Sequence, residues 1–302
     1  MRLLVVRDAD DGRLVQLEQR QTGTRLGEGL SNGGTLAPAA VERTLEAVTG
    51  FVARARIHAA GLAAIATSAV RRADDAAAFA ARVQSIAGVP LRVLDGAAEA
   101  AASFCGATYD VGRRDRRIAV VDVGGGSTEC AVGRAGTLER AQSIEIGSVR
   151  VAERFPDLTG RAPGAAARVA AVQARAYAAA MLAPNGAFGP VDAVHAVAGT
   201  PATVAAVIAG SHVDRVAGTV LTRRALDATI DRLVEVDLEA RRGLPGMLPQ
   251  RADILPGGAI VLSETLRLLG ASQVRVEPND LLLGYLIMTR DAARVRSTNL
   301  PL

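Results

Sequence analysis

Ile118-Ala119-Val120-Val121-Asp122-Val123-Gly124-Gly125-Gly126-Ser127-Thr128-Glu129 is the stretch that decides the fold. Its first four residues form an apolar run that reads as a buried strand. Three consecutive glycines cannot stabilise a strand, because glycine loses more backbone entropy on folding than any other residue. They suit a sharp turn whose N–H groups must come close to something. Consecutive amides in a tight turn form an anion-binding concavity, and phosphate is its usual occupant. Ser127 adds a hydroxyl donor. Asp122 and Glu129 flank the turn. Two carboxylates would repel a bare phosphate, so the pattern calls for a bridging divalent cation with oxygen ligands, most simply Mg²⁺. The same residues would also serve as a glycine-rich hairpin between two core strands. The acid before the glycines and Ser-Thr-Glu after them favour the phosphate reading.

Outward from this turn, strand-like and helix-like segments alternate. Before it, Leu3 to Val6, Arg13 to Gln19, Leu62 to Thr67 and Leu91 to Leu94 read as strands, and Pro38 to Arg56, Asp74 to Ile86 and Ala97 to Gly106 as helices. The solvated charge run Arg113-Arg114-Asp115-Arg116-Arg117 breaks the pattern and marks the expected boundary between a first domain, 1–113, and a second, 114–302. The pattern then restarts, with strands at 118–122, 129–133, 138–146, 191–197 and 274–276 and helices near 163–182, 223–235, 256–269 and 280–290. Such alternation predicts an α/β chain with parallel strands, built as two related halves.

Composition narrows the function. The 302 residues suffice for two domains, and 49% hydrophobic with 22% charged is an ordinary globular balance. Aromatics are only 3% and Trp is absent, so the core must come from Ala, Val, Leu and Ile. No apolar run is long enough to span a bilayer, and Met1 to Arg7 is too short and too soon charged for a signal peptide, so a cytoplasmic protein is expected. Cys105 and Cys130 read as reduced thiols rather than a disulfide. His58, His195 and His212 are scattered without metal-ligand spacing, which excludes a zinc site of the usual kind. Every basic residue is Arg, the formal net charge is +4, and the pI is about 9.8. Arginine forks pair bidentately with phosphate oxygens, and a basic surface attracts polyanions. No aromatic stacking platform accompanies the charge, so nucleic acid is not indicated, and inorganic polyphosphate is another candidate.

Several segments together resemble the exopolyphosphatase/guanosine pentaphosphate phosphohydrolase (Ppx/GppA) family. They are Arg25-Leu26-Gly27-Glu28-Gly29-Leu30, Ala66-Thr67-Ser68-Ala69-Val70-Arg71, Asp95-Gly96-Ala97-Ala98-Glu99-Ala100 and Asp122 to Glu129. Gly147-Ser148-Val149-Arg150 with Glu153-Arg154-Phe155, Gly199-Thr200-Pro201-Ala202-Thr203 and Arg251 to Ala259 complete the set. The resemblance implies two actin-like (ribonuclease H-like) domains and hydrolysis of a terminal phosphoanhydride. It implies Glu99 as the base that activates water, Asp122 and Glu129 as ligands of Mg²⁺ (or Mn²⁺), and Gly124, Gly125, Gly126 and Ser127 as the phosphate loop. It adds Arg71, Gly199 and Thr200 as phosphate contacts. Inorganic polyphosphate is the implied substrate, with guanosine pentaphosphate on the same site as the alternative. No nucleic acid or membrane partner is implied, and a homodimer is compatible. An ATP-using kinase of the same fold and a non-catalytic polyphosphate or alarmone binder are the readings from other classes.

The chain also departs from that pattern. Family members begin with a strand carrying Asp-x-Gly-(Ser/Thr)-Asn-Ser, followed at once by the strand that Met1 to Val6 resembles. The first domain is therefore expected to lack its first strand and phosphate loop, leaving backbone groups whose burial unpaired costs about 1–3 kcal/mol each. An upstream start with Met1 internal, a truncated form with weak or no activity, and a strand supplied by a partner chain are the three explanations. Ala198, Ala98, Ala101, Ala217 and Asp280 stand where the family commonly has Gly, Glu, Arg, His and Gly.

Overall fold

The computed structural model describes residues 1–30, 34–110, 115–185 and 188–298. Contacts divide the chain into two units, Met1–Asp95 and Gly96–Leu302.

The first unit contains β1 (Arg2–Asp8), β2 (Leu14–Gln21), α1 (Pro38–Ile57), β3 (Ala64–Ala66), α2 (Ser68–Arg71), α3 (Ala76–Ala87) and β4 (Leu91–Val93). Pro38 opens α1, where its missing N–H costs nothing. Gly88 ends α3 in the left-handed conformation at φ 76°, the usual glycine stop. The two long helices pack around Leu36, Leu45, Phe79 and Val83. β1 pairs with β2 antiparallel and β3 with β4 parallel, as two separate two-stranded sheets. Among the described residues no strand bridges the two pairs. β3 is half-buried. Glu18 of β2 is buried and receives Arg54 (2.9 and 3.0 Å), Arg20 (2.8 Å) and His58 (2.8 Å), which ties the hairpin to α1. These donors hold its carboxyl well below the usual range.

The second unit contains α4 (Gly96–Thr108), β5 (Arg117–Val123), β6 (Thr128–Arg134), β7 (Thr137–Ile144), α5 (Ser148–Arg154), α6 (Ala165–Leu182), β8 (Ala193–Val197) and α7 (Gly199–Ala209). It continues with β9 (Val220–Thr222), α8 (Arg223–Val234), α9 (Leu238–Arg242), α10 (Leu255–Leu268), β10 (Gln273–Val276) and α11 (Leu281–Thr298). One sheet runs β7-β6-β5-β8-β10-β9. β5, β8 and β10 are mutually parallel neighbours, and β6, β7 and β9 join antiparallel.

Strand alternation sorts β5 between two faces. Ala119, Val121 and Val123 enter the large core shared with α6, α7 and α10. Ile118 and Val120 join Ala131 of β6 against Ala100, Phe104 and Ala107 of α4. By the same period Asp122 belongs to the α4 face.

α4 lies before the boundary expected from sequence, yet it packs with the second unit, on β6, β7 and α11. The crossing with α11 explains this. A β-carbon on Gly284 would collide with the Ala102 carbonyl, and one on Gly106 with the Asp280 carbonyl. Two glycines thus let the helix backbones touch. The expected boundary at 113/114 itself lies outside the described residues.

Candidate functional site

The glycine turn joins β5 to β6, so the segment is a hairpin as well as a loop. Asp122 and Glu129 are direct partners across the two strands. Such partners share a face with β-carbons about 5 Å apart, where two like charges destabilise each other. Glu99, in the first turn of α4, lies on the same face, and all three carboxyl groups are buried. Burial, with the charges of Glu99 and Asp122 beside it, pushes Glu129 well above the usual carboxylate range, against the pull of the Ser143 and Ser127 hydroxyls.

Two serines orient the acids. Ser103, one turn after Glu99 on α4, donates to Asp122 Oδ2 at 3.0 Å. Ser143 of β7, in register with Glu129, donates to its Oε1 at 2.6 Å. Ser143 also sets the depth of α4, since a β-carbon on Gly96 would collide with it.

The turn is held from one side. Gly124 O accepts from Ser148 N (2.9 Å) and Ser148 Oγ (3.1 Å), and Gly125 O accepts from Val149 N (2.9 Å). A β-carbon on Gly147 would strike the Gly125 carbonyl, so glycine is required for this approach. In a trans peptide the N–H points opposite to the preceding C=O. The amides of Gly125 and Gly126 therefore point away from α5, and neither bonds to a described residue. Open amides of this kind fit the anion-binding turn expected from sequence.

Gly199 and Thr200 open α7 immediately beyond β8, which lies beside β5. Thr200 Oγ1 donates to Val123 O at 3.1 Å, fixing the start of α7 to the strand that carries Asp122. The guanidinium of Arg251 lies on Gly199 so closely that a β-carbon would collide with it. A helix N-terminus beside an arginine suits an anion. Cys130, next to Glu129 but on the opposite face, has its thiol pushed up to about 12 by burial, which leaves it inert.

The structure thus brings Glu99, Asp122, Glu129, the glycine turn with Ser127, and Gly199-Thr200 together within the second unit. Arg71 stands in the first unit at the end of α2, where it donates to Leu94 O at 2.8 Å. Ser103, Ser143, Ser148 and Arg251 were not picked out as site residues. Ser103 was legible, because a residue four beyond Glu99 shares its helix face. Ser143 depends on hairpin register, which the sequence does not display.

As a metal site, the acids do not form a closed cage: among the described residues no group of three or more His, Cys, Asp and Glu side chains is placed to hold an ion. Asp122 and Glu129 fit instead an ion such as Mg²⁺, which takes one or two carboxylates and completes its shell with water and substrate oxygens. The surplus negative charge around Glu129 is what a cation would relieve.

The model of the Ppx/GppA phosphatase family matches residues 5–286. The chain belongs to that family. Exopolyphosphatase 2 of Mycobacterium tuberculosis is 32% identical over 294 residues, covering 90% of this chain and 89% of the relative. A solved exopolyphosphatase-like protein has TM-score 0.85 at 28% identity, covering 95% of this chain and 94% of that one. An exopolyphosphatase from Cytophaga hutchinsonii has TM-score 0.85 at 23% identity, with 96% and 94% covered. The α/β fold read from the resemblance is the fold of this Ppx/GppA chain.

Proposed function

We propose that this Ppx/GppA protein hydrolyses the terminal phosphoanhydride of inorganic polyphosphate and releases orthophosphate. The observation that carries the reading is the meeting of three buried acids with two open glycine amides in one unit. Phosphoryl transfer needs positioning and charge neutralisation more than covalent chemistry. Glu99 takes the proton of the attacking water. The amides of Gly125 and Gly126 receive phosphoryl oxygens, with the Ser127 hydroxyl holding Glu129 beside them, and Gly199, Thr200 and Arg251 receive a neighbouring phosphate. Asp122 and Glu129 would hold Mg²⁺ or Mn²⁺, which supplies charge neutralisation on the phosphoryl oxygens. Ser103 and Ser143 keep these carboxylates aimed. Arg71 is proposed as a phosphate contact on the resemblance alone.

The test is orthophosphate release by purified protein from polyphosphate and from guanosine pentaphosphate, with Mg²⁺ present and after chelation. Faster turnover of polyphosphate that stops on chelation is expected. Preference for guanosine pentaphosphate would move the substrate to the nucleotide with the site unchanged. Tight binding of either without release would overturn hydrolysis.

A further inference from the structure

A cleft of 610 Å³ lies at the other end of the second unit's sheet, where β5 and β8 begin and β10 passes beside them. That volume is within the range of small-molecule pockets, roughly 300–1,000 Å³. Ile118, which lines the cleft, is four positions before Asp122 along β5, about 13 Å of strand. The cleft is therefore a place distinct from the glycine turn.

A buried histidine and a buried carboxylate line it. His195 Nδ1 is 2.7 Å from Glu277 Oε1, with side chains only 6% and 10% exposed. The same oxygen accepts from Arg275 Nε at 3.0 Å. An ionised carboxylate has no proton to give, so Nδ1 carries the ring N–H toward it. Nε2 is then the ring's lone-pair acceptor, and it meets no partner among the described residues.

The remaining polar groups divide by engagement. Asp192 accepts the Arg117 N–H at 2.7 Å, and Asp110 accepts the Asn279 amide at 2.7 Å. The carboxylates of the cleft are thus already supplied with donors. By contrast, the side chains of Arg116, Ser272 and Gln273 make no hydrogen bond or ion pair among the described residues. The donors left open are a guanidinium, a hydroxyl and an amide, set against the apolar walls Val194 and Leu269. Engaged acids, open donors and an apolar wall are the complement of a compact apolar body that carries an anion.

We propose that this cleft is a second binding site, for a small organic anion with an apolar or aromatic body, its phosphate or carboxylate placed on Arg116 and the Ser272 hydroxyl and its body beside the His195 ring. The protein has three histidines, so its imidazole carbon–proton spectrum holds three signals. Replacing His58 and His212 by Gln, neither of which lines this cleft, assigns the His195 signal with His195 intact. The probe is 1-naphthyl phosphate, a monoester without an anhydride. The His195 signal should move saturably on titration, with one site by calorimetry. Arg116→Ala, a change at an exposed residue, should weaken binding about tenfold, the loss of one charge-assisted contact. Glu99→Gln should leave the affinity unaltered. A His195 signal that stays still at concentrations on the order of millimolar would overturn the proposal. So would affinity indifferent to Arg116, or binding lost in Glu99→Gln.

Discussion

Ala198 sits between β8 and α7 at φ 71° and ψ −170°, a backbone region open in practice only to glycine. Its β-carbon is held there because the chain must turn sharply from the end of β8 into the helix that Gly199 and Thr200 begin. Residues so placed cost about 1–3 kcal/mol. Ala198→Gly removes that strain but gives the unfolded chain more freedom, worth about 0.4–1 kcal/mol. The net expectation is a stabilisation of about 0.5–2 kcal/mol. In a domain of 150–250 residues each kcal/mol moves Tm by about 2–4 °C, so Tm should rise by about 1–8 °C. Thermal unfolding reads the shift, and urea unfolding should show a higher midpoint with an unchanged slope. Ala198→Val, β-branched at the same φ, should move Tm down. A Tm that falls in Ala198→Gly, or does not fall in Ala198→Val, would refute the claim that the turn from β8 into α7 stores strain.

Gly284→Ala forces a methyl into the Ala102 carbonyl at the α4–α11 crossing, and backbone cannot yield as a side chain can. A loss of about 1–3 kcal/mol or more is expected, with a fall in turnover because α4 carries Glu99; wild-type stability in urea would contradict the packing. Glu18 has its carboxyl lowered from 4.5 in the folded protein, so its contribution is present above the ordinary carboxylate range and is lost as pH falls below it. Glu18→Gln should flatten the acid limb of a stability–pH curve, and an unchanged limb would count against the Arg54–His58–Glu18 cluster. Ser103→Ala removes the donor to Asp122 and should raise the Mg²⁺ needed for half-maximal phosphate release about tenfold or more, with Ser103→Thr recovering part of it. An unmoved requirement would make Ser103 merely structural.

Much of the second unit was legible because its signals are local. The run 118–121, the glycines and the flanking acids lie within twelve residues, while the shared face of Asp122 and Glu129 is set by the β5–β6 register. The Ala-rich helix read at 163–182 appears as α6, Ala165–Leu182, from the same kind of short-range pattern. What escaped depends on distant partners. α4 joins the second unit through Gly106 and Gly284, which are far apart in sequence. Ser143 reaches Glu129 only through the β6–β7 register. Arg241-Arg242 looks like a solvated pair. Yet Arg241 is fully buried, donating to the carbonyls of Leu233 (2.6 Å) and Leu158 (2.5 Å), and burial pushes it down to about 10. α5 and β9 are short, and their apolar positions too few to announce a period.

Orthophosphate release from polyphosphate by Glu99→Gln, beside the wild-type protein at saturating Mg²⁺, tests the central claim most directly. Removing a positioned general base costs about 10²–10⁴ in rate, while the amide substitution keeps the shape of the buried site. The account predicts a loss of turnover of that order with polyphosphate binding retained. Turnover within about tenfold of wild type, in a folded Glu99→Gln protein, would contradict it.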